Sequence, residues 1–146
     1  MAFIPNPRMF YIGMQDQFFT FNMFDVQAWW ARDVILGDIS VPASKEEMYA
    51  QSKPWEDKEA LLASDEDLIR FQAVYTEGLM KQTDYPNFDI EGVVQLFLQW
   101  EHHKHEDIMG FRNNSYKSVM TGTQNPVHHT AWKDCMDDSI TGYVGK

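Results

Sequence analysis

The sequence predicts a mainly α-helical domain carrying one short N-terminal strand and about five helices. Cap residues at Asn22, Ser44, Ser64 and Asp89 each precede apolar residues at helical spacing. The clearest β-former run is the brief Met9-Phe10-Tyr11-Ile12, and no internal repeat, low-complexity run or linker divides the chain.

Met9 to Ile12 follows the proline-punctuated Pro5-Asn6-Pro7 and reads as a strand with no obvious partner. Asn22 with Asp25 predicts a helix start. Phe24, Ala28, Ala31 and Ile35 then form its apolar stripe until Gly37 stops it. Ser44-Lys45-Glu46-Glu47 is a capping box for a short helix that Pro54 interrupts, with Pro54 opening the next helix, Trp55 to Ala63. Ser64-Asp65-Glu66-Asp67 repeats the signal ahead of Leu68, Phe71, Tyr75 and Leu79. Asp89 caps a helix whose stripe is Val93, Leu96, Phe97 and Trp100. Beyond Arg112, two loop-like segments enclose a β-prone stretch. His128 to Ile140 reads as a last short helix, with a fraying tail from Thr141. A lone strand leaves its ladder groups unpaired, so the chain is expected to be cut from something larger.

A chain of 146 residues, 44% hydrophobic and 14% aromatic, supplies the core of one domain. Its net charge of −10 argues against nucleic acid and anionic membranes as partners and favours a small organic cation. One cysteine, Cys135, excludes an internal disulfide framework. With nine methionines, this makes a reducing cytoplasm the expected compartment. No apolar stretch approaches the roughly 20 residues of a membrane helix, and Met1 to Arg8 lacks the pattern of a signal peptide.

The richest local constellation runs from Gly13 to Asn22, where Gln15, Asp16, Gln17, Thr20 and Asn22 alternate with aromatics between strand and helix. Such strand-to-helix turns gather hydrogen-bonding groups around ligands. The same residues read equally well as a half-buried aromatic turn whose amides cap the helix.

Glu101-His102-His103-Lys104-His105-Glu106-Asp107 is the densest group of possible metal ligands. His102 shares a helix face with His105 and Glu106, but no established metal motif is present. A solvated helix end is the preferred reading and no metal is expected. A metal-binding helical protein using His102, His105 and Glu106 is kept as an alternative. Another is a stand-alone docking module with apolar surface around Phe10, Trp29 and Trp30. His128-His129 reads as a capping or packing pair, Cys135 as a buried thiol, Trp100 as core and Arg112 as a surface ion pair. Glycine-rich nucleotide fingerprints and a nucleophile elbow are absent from the sequence.

The strings from Gly13 to Asp25 and Gln27-Ala28-Trp29-Trp30-Ala31-Arg32-Asp33 resemble bacterial flavin-containing monooxygenases of the trimethylamine monooxygenase branch. So do Asp84-Tyr85-Pro86-Asn87-Phe88-Asp89, Gln99-Trp100-Glu101-His102-His103-Lys104, and Ser118 to Thr123 before His128-His129-Thr130. That resemblance implies an enzyme using FAD and NADPH to place one oxygen atom of O₂ on the nitrogen of a small tertiary amine such as trimethylamine. A homodimeric intact enzyme is compatible with it. It assigns Gln17 and Thr20 to FAD, Arg112 to NADP, and Asp16, Phe18 and Trp100 to the amine pocket, with Asp16 orienting the amine or accepting its proton. No catalytic residue is assigned. Residues 1–40 are then expected to end an FAD-binding domain, whose remnant is the strand, and residues 41–146 to form a helical extension packed on it. The isolated chain is expected to be an inactive portion.

Overall fold

The computed structural model describes residues 1–13 and 18–124. Within them the chain is mainly helical, with a two-stranded antiparallel sheet at its start. Strand β1 (Ala2–Phe3) pairs with β2 (Asn6–Phe10), with Ala2 opposite Phe10 and Phe3 opposite Asn6 across an irregular register. The expected lone strand therefore has a partner, supplied by the four residues before Pro5. Two-residue strands carry no periodicity, so β1 left no sequence signal. Pro7, which has no N–H to donate, is accommodated because the hairpin has only edges. Phe10 meets Trp30 edge-on at 6.3 Å and fastens the hairpin to the first helix.

Helix α1 (Thr20–Leu36) begins two residues before the expected cap at Asn22. Phe19 occupies the N-cap position without a side-chain hydrogen bond. The buried Gln72 side chain instead takes the backbone N–H groups of Phe18 and Phe19, so a tertiary partner fixes the entry to the helix. The buried residues of α1 are Met23, Val26, Gln27, Ala31 and Asp33, whereas Ile35 is 73% exposed. The inward face is thus rotated from the expected Phe24–Ala28–Ala31–Ile35 stripe, because two polar residues belong to it. Gly37 ends the helix as expected, at φ 90°, with its N–H donating to the carbonyl of Val34.

Helix α2 (Lys45–Glu59) starts at the Ser44 cap, whose hydroxyl accepts from the Glu47 N–H at 3.2 Å, and it runs unbroken through Pro54. The expected interruption does not occur. Pro54 and Ala50, whose carbonyl loses its helical donor, both lie on the exposed face, where water substitutes. Beyond Pro54, Trp55 packs edge-on against Phe71 and Tyr75, each at 5.6 Å, and continues the helix onto its neighbour.

Helices α3 (Asp65–Met80) and α4 (Ile90–Glu106) open at the expected caps, Ser64 and Asp89, which accept from Asp67 N–H and Gly92 N–H. One core joins Phe19 and Met23 of the α1 region to Ile69 and Ala73 of α3 and Val93 and Val94 of α4. A second joins Val26 to Leu79 and Met80 under Trp30 and Tyr85. At roughly 1.5–3 kcal/mol per fully buried side chain, these clusters are the main source of helix stability, since isolated helices of this length are marginal. Trp29 meets Tyr85 at 5.4 Å, and Trp30 donates to Gln82 at 3.1 Å. Trp29, Trp30 and Phe10 are thus partly buried. Among the described residues the most exposed large apolar side chains are instead Met109, Leu61, Phe21, Ile35 and Leu36. A short 3-10 turn at Phe111–Asn113 follows α4. An isolated bridge between Lys117 and Gln124 marks the β-prone stretch. The expected helix from His128, the fraying tail, the His128-His129 pair and Cys135 lie outside the described residues. No helix among the described residues is long and apolar enough to cross a membrane.

Candidate functional site

Spacing on α4 builds one wall of a cleft. Val93, Leu96, Phe97, Trp100, Glu101 and Lys104 recur at three- and four-residue intervals and so share a face. The α3 N-terminus adds Asp65 and Leu68, the approach to α1 adds Phe18 and Thr20, and Tyr116 completes the lining. The resulting open cleft, of about 630 Å³, is largely apolar and aromatic. Phe18 meets Phe97 edge-on at 5.7 Å, and Phe97 also contacts buried Phe19 at 5.5 Å, so the wall is braced by the core.

The cleft brings together Phe18, Thr20 and Trp100, three residues singled out in the sequence from segments some 80 positions apart. Trp100 is half-buried rather than sealed in the core, with Phe111 edge-on at 5.3 Å and the Lys104 ammonium 5.1 Å from its ring centre. The Thr20 hydroxyl donates to the Phe18 carbonyl at 3.4 Å. Arg112 does not line the cleft. Its guanidinium stacks on the Phe111 ring at 4.3 Å, one aromatic group removed from Trp100, and it forms no ion pair among the described residues. Asp16 and Gln17 lie outside the described residues.

The two ends of the Asp16 segment are fixed nevertheless. On one side the Gly13 N–H donates to Gln27 Oε1 at 2.9 Å, and Gln27 Nε2 donates to the Tyr75 hydroxyl at 3.1 Å. On the other, Gln72 Oε1 accepts from Phe18 and Phe19. Gln27 and Gln72 are buried and paired, as interior amides must be. Burial raises the Tyr75 phenol above its ordinary value, opposed by the hydrogen bond from Gln27.

Sequence reasoning gave no role to Gln27, Gln72 or Tyr116, and named Glu101 only within the group of possible metal ligands from 101 to 107. Amide side chains carry no sequence signal of burial, and Tyr116 sits in a segment with no periodicity. What marks Glu101 as a cleft residue is its position four residues after Phe97 on the α4 stripe. It is only 5% exposed, and both its carboxylate oxygens lie 3.0 Å from Lys104 Nζ, which offsets the desolvation of the charge. Tyr116 is held by His103 Nδ1 at 2.7 Å from its hydroxyl, and desolvation pushes its phenol up. The grouping of His102, His105 and Glu106 does not form. His102 Nε2 pairs with Glu106 at 3.3 Å, whereas His105 turns toward Glu101 and Asp65.

No family model matches the chain. It is 54% identical over 144 residues to the trimethylamine monooxygenase of Roseovarius nubinhibens, covering 99% of this chain and 32% of that protein. The chain is homologous to trimethylamine monooxygenases. The Methylocella silvestris enzyme is 51% identical over 141 residues, and the Pelagibacter ubique enzyme 46%, with 97% of this chain covered in both. The crystal structure of Tmm from a Pelagibacter strain superposes with a TM-score of 0.83 at 46% identity, covering 96% of this chain and 32% of that one. The chain therefore spans about a third of the length of its trimethylamine monooxygenase relatives.

Proposed function

We propose that this chain supplies one wall of the active site of an FAD- and NADPH-dependent monooxygenase that converts trimethylamine, or a similar small tertiary amine, to its N-oxide. The observation that carries the reading is the convergence of Phe18, Thr20 and Trp100 on one cleft in a chain about half identical to trimethylamine monooxygenases. Aromatic faces beside carboxylates suit a trimethylammonium ion, each cation–π contact contributing about 0.5–2 kcal/mol.

The residues present fit the expected cofactors in part. Thr20 brings a hydroxyl able to donate and accept at a flavin's polar edge. Arg112, exposed and unengaged by any described carboxylate, suits a bidentate grip on an NADP phosphate. When bound, the reduced flavin supplies the activation of O₂. Phe18, Phe97 and Trp100 exclude water from their side of the site and hold the methyl groups of the amine. Asp16 orients the amine or takes its proton, and Gln17 adds an amide to the flavin side. Residues 1–40 would close the flavin-binding domain and residues 41–146 pack on it, within a cytoplasmic and homodimeric enzyme.

Replacing the corresponding third of the Pelagibacter Tmm with this chain tests the reading. The hybrid should bind flavin and form trimethylamine N-oxide, detected by NMR, at the expense of NADPH. The chain alone should not. Arg112→Ala in the hybrid should raise the KM for NADPH about tenfold and leave that for the amine unchanged, as expected for a lost charge-assisted phosphate contact. A hybrid that retains flavin yet never oxidises the amine would refute the proposal.

A further inference from the structure

Asp65, Glu101 and His105 each place one ligand atom within 4.8 Å of the others, at one end of the cleft wall. His105 Nε2 lies 3.7 Å from Glu101 Oε2 and 4.0 Å from Asp65 Oδ2. Ligand atoms of a tetrahedral zinc site, with bonds of about 2.0–2.1 Å, stand about 3.3 Å apart, so the two imidazole–carboxylate distances must close by about half an ångström and the carboxylate pair by at most about 1.5 Å. We propose that these three side chains form a zinc-binding site bridging the start of α3 and the end of α4.

Three features favour the assignment. Glu101 and His105 are four residues apart on one helix, so their spacing is rigid. Asp65 is the first residue of α3, fixed by the Ser64 cap, and therefore comes from an independently anchored element. The Glu101 side chain is 7% exposed, and its Oε2 faces the imidazole. One imidazole with two carboxylates is a borderline nitrogen and oxygen set, which suits zinc better than the all-oxygen cages of calcium or magnesium. Lys104 is the competing cation, 3.0 Å from both Glu101 oxygens. It is a monovalent ammonium on a flexible stem and one-third exposed, so it can keep Oε1 or swing into water while a divalent ion takes Oε2. Two carboxylates against one ammonium leave a local charge of −1, which a divalent cation reverses.

The same helix carries its own control, because His102 and Glu106 repeat the four-residue spacing but gather no third ligand among the described residues. Zinc titration of the chain, followed by calorimetry and thermal melting, should show one site and a Tm rise on the order of 10 °C at a hundredfold excess over Kd. Affinity should fall at least tenfold in His105→Ala and in Asp65→Asn, both at exposed positions, and remain unchanged in His102→Ala. Cobalt substituted at the site should give a visible spectrum without a thiolate charge-transfer band. The proposal is overturned by absence of saturable binding, by binding that survives His105→Ala, or by a thiolate band that moves the metal to Cys135.

Discussion

The side-chain oxygen of Gln72 accepts hydrogen bonds from two successive backbone N–H groups, Phe18 at 2.8 Å and Phe19 at 3.2 Å. One buried amide on α3 thus anchors the entry to α1, more than 50 residues away in sequence. Gln72→Leu preserves much of the volume but leaves two donors without this acceptor. It should destabilise the chain by about 2–4 kcal/mol, read as a lower denaturant midpoint at constant m-value. A change below about 0.5 kcal/mol would show that the pairing contributes nothing.

Gly13 holds φ at +76°, and a Cβ built there would lie 2.6 Å from Phe24 Cε1. Gly13→Ala therefore meets both a backbone and a steric penalty, together about 2–4 kcal/mol. Starting from a Phe24→Ala background should remove only the steric part. A Gly13→Ala cost that is the same in both backgrounds would contradict the contact.

The Asp67 carboxyl sits below its ordinary value of 3.8, first because the Ser64 hydroxyl hydrogen-bonds to it and then through the Ala63 N–H. With the folded value below the unfolded one, its contribution to stability is complete above the unfolded value and is lost as the pH falls through the folded one. Ser64→Ala should raise the Asp67 pKa, followed by NMR titration, toward the ordinary value. The lost cap should cost about 1 kcal/mol at neutral pH. An unmoved titration curve would exclude the reciprocal cap.

Pro54 sits within α2 with no N–H for the Ala50 carbonyl. Pro54→Ala restores that hydrogen bond and should stabilise α2 by about 1–3 kcal/mol, visible as slower amide exchange along α2 and a higher Tm for the melting of that helix. A drop in Tm would show that the proline packs favourably where it stands.

The caps at Ser44, Ser64 and Asp89 and the stop at Gly37 were legible because each is a local interaction spanning three or four residues. The face of α1 was not. Gln27 is fully buried on it and Ile35 exposed, a reversal that hydropathy cannot read because Gln27 is satisfied by Gly13 and Tyr75 from elsewhere. The continuation of α2 through Pro54 depends in the same way on Trp55 reaching α3. Of the cleft-lining residues, Phe18, Thr20 and Trp100 are those the resemblance singles out, residue by residue. Their meeting, and the arrival of Glu101 and Tyr116 beside them, required the packing of α4 against α3.

Helix α2 buries only Met48 among its own residues and reaches its neighbours chiefly through Trp55. The cleft is lined by other segments, Phe18 and Thr20 at the head of α1, α3, α4 and Tyr116. The molecule is therefore divided energetically into a cooperative block and a lightly tethered arm. The arm can exchange its amide hydrogens and melt as a separate unit while the cleft keeps its shape, so partial unfolding starts where the Trp55 indole leaves Phe71 and Tyr75.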